Sequence, residues 1–119
     1  MMKRILYIDD EEINLMVFKM TFENYFQIDV SDNPLTALER IKSENYDFIV
    51  SDMKMPHLNG LELIAEARKI QPHIPYYILS GFAYNSDIEK ALEENVIKAF
   101  FKKPMDFDVI KDALDNQLQ

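Results

Sequence analysis

Apolar and polar positions along the chain follow two rhythms. Five short apolar runs, KRILYID, YFQIDV, YDFIVS, IPYYIL and VIKAFF, are separated by longer stretches in which apolar residues recur every three or four positions. Unbroken runs of this length read as strands buried on both faces, and the 3.6-residue recurrence reads as amphipathic helix. Strands are therefore expected over residues 3–9, 25–30, 46–51, 74–79 and 96–101, with helices over about 11–24, from Asn33-Pro34 onward, from Asn59 or Gly60 to Pro72, over 86–95, and from Asp106 to about Leu118.

The helix boundaries carry their own signals. Glu11 and Glu12 suit the positive end of a helix dipole. Asn33 is expected to cap a helix with Pro34 at its first position. Ser86 with Glu89 has the spacing of a capping box, and Asn95 stands where a helix end favours a left-handed residue. In the first helix, Ile13, Val17 and Met20 form one stripe, expected to face the sheet, and Leu15, Phe18 and Phe22 form a second. The second stripe is either buried by a flanking helix or a docking surface for a partner's helices. Core faces are expected from Leu35, Leu38 and Ile41 in the second helix. Leu61, Ile64, Ala65 and Arg68 do so in the third, and Phe107, Ile110, Leu114 and Leu118 in the last.

Strand and helix repeated five times imply an α/β fold, a single domain over residues 1–119 with a parallel sheet and helices on both faces. The carboxyl ends of parallel strands share one edge, and ligand sites lie there. That edge collects Asp9 and Asp10 after the first strand, Asp52 after the third, Ser80 after the fourth and Lys103 after the fifth, with Lys102 beside it. Taken singly, each has a plain structural reading: Asp52 and Ser80 as turn residues, Asp9-Asp10 as a helix cap, Lys103 as a solvated lysine. Together they form a chemical set. Carboxylates about 5 Å apart repel by roughly 3 kcal/mol per pair at an effective dielectric near 20, so such a cluster invites a hard cation. Oxygen-only ligands point to Mg2+. Mg2+, a carboxylate nucleophile, a hydroxyl and a lysine make a phosphoryl-transfer arrangement.

Composition narrows the partners. A net charge of −8 over 119 residues argues against direct nucleic-acid binding. Nothing approaches the roughly 20 apolar residues of a membrane span, and the short N-terminal run does not read as a signal peptide, so cytoplasm is the default expectation. Without cysteine there is neither a disulfide nor a thiolate metal site. His57 and His73 read as exposed loop residues.

The set Asp9-Asp10, Asp52-x-x-Met55-Pro56-x-x-x-Gly60, Ser80-Gly81 and Lys103-Pro104, in this order and at these intervals, resembles the receiver domain of two-component response regulators over the whole chain. The resemblance implies a flavodoxin-like, CheY-like (βα)5 sheet with strand order 2-1-3-4-5. It further implies that Asp52 accepts a phosphoryl group from a phosphohistidine. Asp9, Asp10, Asp52 and the Lys54 backbone carbonyl would hold Mg2+, with Mn2+ as a substitute. Ser80 and Lys103 would contact the phosphoryl oxygens, Ser80 and Phe100 would act as the switch, and the Lys103–Pro104 peptide would be cis. Lys98-Ala99 before the aromatic depart from the Gly-Ala frequent in the family.

The implied partners are a sensor histidine kinase or histidine phosphotransfer protein, and a downstream protein or a phosphorylation-dependent homodimer on the helix 4–strand 5–helix 5 face. Catalysis would be limited to self-phosphorylation and autodephosphorylation. An aspartate-based phosphatase or phosphotransferase is the alternative class. It would require a second carboxylate where Lys54 stands, and a cap domain. A receiver-like domain signalling without phosphorylation is the third class, and the intact site set argues against it.

Overall fold

The computed structural model describes residues 2–81 and 84–117. Ten elements alternate: β1 (Arg4–Ile8), α1 (Glu12–Phe22), β2 (Gln27–Ser31), α2 (Pro34–Ser43), β3 (Phe48–Ser51), α3 (Gly60–Ile70), β4 (Tyr76–Ser80), α4 (Ser86–Glu93), β5 (Ala99–Lys102) and α5 (Phe107–Gln117). The strands form one parallel sheet in the order β2-β1-β3-β4-β5, as expected. Side chains alternate across the sheet. Leu6, Ile8, Ile49 and Ile78 pack with Ile41, Leu63, Ile64 and Ile88 of α2, α3 and α4. Ile5, Tyr7, Val50, Tyr77 and Leu79 pack with Phe18 and Phe22 of α1 and Ile110 and Leu114 of α5.

The face of α1 is the reverse of the expected one. Leu15, Phe18 and Phe22 are buried, whereas Ile13 is 62%, Val17 45% and Met20 66% exposed. At 3.6 residues per turn the two stripes lie on opposite sides of the helix, so only one can meet the sheet. The aromatic stripe has more area to bury: Phe18 stacks on Tyr7 at 4.2 Å, and Phe22 stacks on Phe107 at 5.4 Å. The expectation of Leu15, Phe18 and Phe22 as a docking surface is thereby overturned.

Other helices differ from expectation in their buried faces and their ends. In α2, Pro34, Ala37 and Ile41 are buried and Leu35 is exposed. In α3, Leu63 and Ala67 take the core positions expected of Leu61 and Ala65. Asn85, not Ser86, caps α4, its side chain accepting from Ile88 N at 3.0 Å. The full capping box belongs instead to α3, where Asn59 and Glu62 bond reciprocally at 2.8 Å. Asn33 and Pro34 open α2 as expected, and Asn95 is left-handed at φ 58°. β5 begins later than expected because Val96 and Ile97 close α4, both donating to the Ala91 carbonyl. Leu118 lies outside the described residues.

Candidate functional site at the carboxyl edge of the sheet

Asp9 and Asp10 directly follow β1, and Asp52 directly follows β3. Pairing of β1 with β3 carries through to Asp52, whose N–H donates to the Ile8 carbonyl at 2.8 Å. β4 and β5 are joined at the same edge by Lys103 N–H donating to the Ser80 carbonyl at 2.9 Å. The sheet thus brings Asp9, Asp10, Asp52, Ser80 and Lys103 to one edge. One carboxylate oxygen from each of Asp9, Asp10 and Asp52 lies within 4.8 Å of the others. Asp10 and Asp52 line an open cleft of about 660 Å3 together with Lys54, Gly81 and Lys103.

The three carboxylates are not equivalent. Asp10 is exposed. Asp9 is fully buried and surrounded by donors: Glu11 N–H at 2.9 Å on Oδ1, and both the Tyr7 hydroxyl and Lys103 Nζ at 2.7 Å on Oδ2. Asp52 is nearly buried, accepts Met53 N–H at 2.9 Å on Oδ1, and lies 3.4 Å from Lys103 Nζ. Burial, and after it the charge of Asp9, raises the Asp52 carboxyl above its ordinary value, with Lys103 and the Met53 N–H opposing. Burial and the bond to Asp9 likewise hold the Tyr7 phenol protonated. A donor set made only of oxygens, with excess negative charge at its centre, fits a hard divalent cation.

The loop after β3 is shaped by Gly60. Its N–H donates to the Met53 carbonyl at 2.7 Å, and a Cβ there would stand 2.4 Å from the Asp52 carbonyl oxygen and 2.7 Å from Ile78 Cδ1. Only glycine lets α3 start this close beneath Asp52. Ser80 is fully buried. Phe100 is half-buried against the α4 side of the core, with the Tyr84 ring edge-on at 5.9 Å. The Lys103–Pro104 peptide is cis. His57 and His73 are exposed loop residues outside the carboxylate cluster.

Tyr7 and Tyr84 were not anticipated as site residues. Tyr7 carries a legible signal, since it lies two residues before Asp9 and so on the same face of β1. Tyr84 has none, because its contact depends on how the β4–α4 loop returns to β5.

The family model for the response regulator receiver domain matches residues 5–115. The transcriptional regulatory protein GlrR of Escherichia coli K12 is 29% identical over 117 residues, 97% of this chain and 26% of that protein. The chain thus spans about a quarter of that regulator's length. Sporulation initiation phosphotransferase F of Bacillus subtilis is 28% identical over 119 residues, 99% of this chain and 95% of that protein. Among solved structures, the response regulator TrrA from Thermotoga maritima, in complex with Mg2+ and beryllofluoride, superposes with a TM-score of 0.84. It is 30% identical, and the match covers 97% of this chain and 98% of that one. With the sheet order and the edge constellation in place, the match over residues 5–115 settles the family: this chain is a response regulator receiver domain.

Proposed function

We propose that Asp52 is the phosphoacceptor of this receiver domain and that Asp9 and Asp10, with the Lys54 backbone carbonyl, hold the Mg2+ that receiver domains bind. One observation carries the reading: an almost buried carboxylate meets two others and one ammonium at the carboxyl edge of a parallel sheet. An Asp52 oxygen attacks phosphorus, the bond from phosphorus to the donor's imidazole nitrogen breaks, and the nitrogen keeps the electron pair. The divalent ion, when bound, neutralises charge on the transferring oxygens. Met53 N–H orients Asp52, and Lys103 offers its ammonium to the phosphoryl oxygens from its place between Asp9 and Asp52. The chain's own chemistry is confined to this transfer and to autodephosphorylation.

The donor is a phosphohistidine on a sensor kinase or phosphotransfer protein. Its docking surface is the exposed side of α1, where Ile13, Met16, Val17 and Met20 form an apolar stripe of the kind a partner helix covers. Val17 also lines a second cleft of about 390 Å3 that reaches Lys103 and Pro104, continuous with the site. Ser80 and Phe100 form the switch: Ser80 moves toward the phosphoryl group, and Phe100 turns further inward from its edge contact with Tyr84. The altered α4–β5–α5 face meets a downstream protein or a second copy. No helix among the described residues is long and apolar enough to cross a membrane.

Incubation with acetyl phosphate and Mg2+, read by intact mass, tests the acceptor. The parent is expected to gain one phosphoryl group and Asp52→Asn none. An adduct of equal yield in the variant would assign the acceptor elsewhere.

A further inference from the structure

Asp9 poses a problem for the chemistry just described. Its side chain has no solvent exposure, and a buried carboxylate is held by its donors. One of the two donors on Oδ2 is Lys103, and that ammonium is the group the phosphoryl oxygens on Asp52 draw away. The other is the Tyr7 hydroxyl at the same 2.7 Å distance. The Tyr7 ring cannot drift, since it is almost fully buried and lies flat on Phe18, with 17° between the ring planes. Two donors on one oxygen weaken each other, so the Tyr7 bond tightens as Lys103 departs.

We propose that Tyr7 is a positioning residue whose hydroxyl keeps Asp9 hydrogen-bonded while Lys103 is handed from Asp9 to the phosphoryl group. The hydroxyl stabilises the phosphorylated state more than the resting one, because only in the former is it the sole donor on Asp9 Oδ2. This inference rests on Asp52 being the acceptor.

Tyr7→Phe removes the hydroxyl and keeps the ring on Phe18. Two affinities are measured by titration calorimetry: Mg2+ alone, and beryllofluoride at saturating Mg2+. Mg2+ alone brings no phosphoryl oxygen to compete with Asp9 for Lys103. The variant is expected to keep Mg2+ affinity within about twofold and to bind beryllofluoride about fivefold more weakly, because the bond is present in both states and only its gain in strength is lost. Tyr7→Leu serves as a second hydroxyl-free variant should Tyr7→Phe fold poorly. Unchanged beryllofluoride affinity overturns the inference. So does an equal loss in both affinities, which would mark a distorted Asp9. A parent that binds no beryllofluoride overturns the acceptor reading itself, whereas a parent that binds it and a variant that binds equally well overturns the hand-off alone.

Discussion

Replacing Asp52 by Asn should make the protein more stable without metal and less responsive to it. The side-chain shape is kept, so the change is in charge. Like charges within 4.8 Å of one another repel by about 3.5 kcal/mol or more per pair at an effective dielectric near 20. Lys103, 3.4 Å away, returns an attraction of about 5 kcal/mol on the same scale. That ammonium is shared with Asp9 at 2.7 Å, so the Coulomb contributions nearly cancel. The sign is then decided by burial of an ionised group, the largest cause of the raised Asp52 value. In chelator at pH 7 the variant should gain about 1 kcal/mol, a rise in Tm of about 4 °C for a domain this size.

The pH dependence follows. A folded-state value above the unfolded one means that the native parent binds the proton more tightly. Its favourable contribution is full below the ordinary value of 3.8 and is lost as pH rises through the folded value. The variant's advantage should therefore shrink on acidification and vanish near 3.8. Adding Mg2+ at a hundredfold excess over Kd stabilises the parent by about 2.7 kcal/mol, and the variant, short of one carboxylate, by less. The order of the two melting temperatures should thus invert. A variant less stable than the parent in chelator, or an equal gain from Mg2+ in both, would refute the reasoning.

Three further outcomes are expected. The Tyr77 hydroxyl is buried with no hydrogen-bond partner among the described residues, and its pKa is pushed up to about 12 by burial; Tyr77→Phe should raise stability by about 1 kcal/mol in denaturant titration, and a loss would show that the hydroxyl is satisfied. Gly60→Ala should cost about 2 kcal/mol and also slow phosphorylation by acetyl phosphate, because the new Cβ strikes the Asp52 carbonyl; unchanged stability would mean that the loop yields freely. Val17→Glu should leave acetyl phosphate labelling intact but slow transfer from a cognate phosphohistidine donor, and equal transfer rates would remove α1 as the docking face.

The alternation of elements was legible because each strand is an unbroken apolar run and each helix carries its own periodicity. Which face of a helix meets the sheet was less so. In α1, Ile13-Val17-Met20 and Leu15-Phe18-Phe22 are equally good stripes by spacing. The choice is made by Tyr7 and Phe107, which lie 11 residues before and 85 residues after Phe18 and Phe22 respectively and offer ring partners to only one of them. Helix ends were readable where a short polar side chain precedes a turn, as at Asn33. They were misread at Ser86, where Asn85 one residue earlier makes the bond from Ile88.

At the site, residue identities were legible and their pairing was not. Asp9, Asp52 and Lys103 could be placed on one edge from strand order, but not the preference of Lys103 for Asp9 at 2.7 Å over Asp52 at 3.4 Å. That preference follows from burial. Asp9 has no exposure, so it depends on protein donors, whereas Asp52 lines the open cleft and keeps access to water. A resting lysine bonded to the deeper carboxylate leaves an outer carboxylate only loosely held, poised for a nucleophile's task. The same depth difference explains why Tyr7, one strand repeat below Asp9, bonds to Asp9 at 2.7 Å while Asp52 takes its short bond from the backbone of Met53. A buried carboxylate is better supported by a rigid aromatic hydroxyl than by a mobile side chain, because the ring loses little freedom in making the bond.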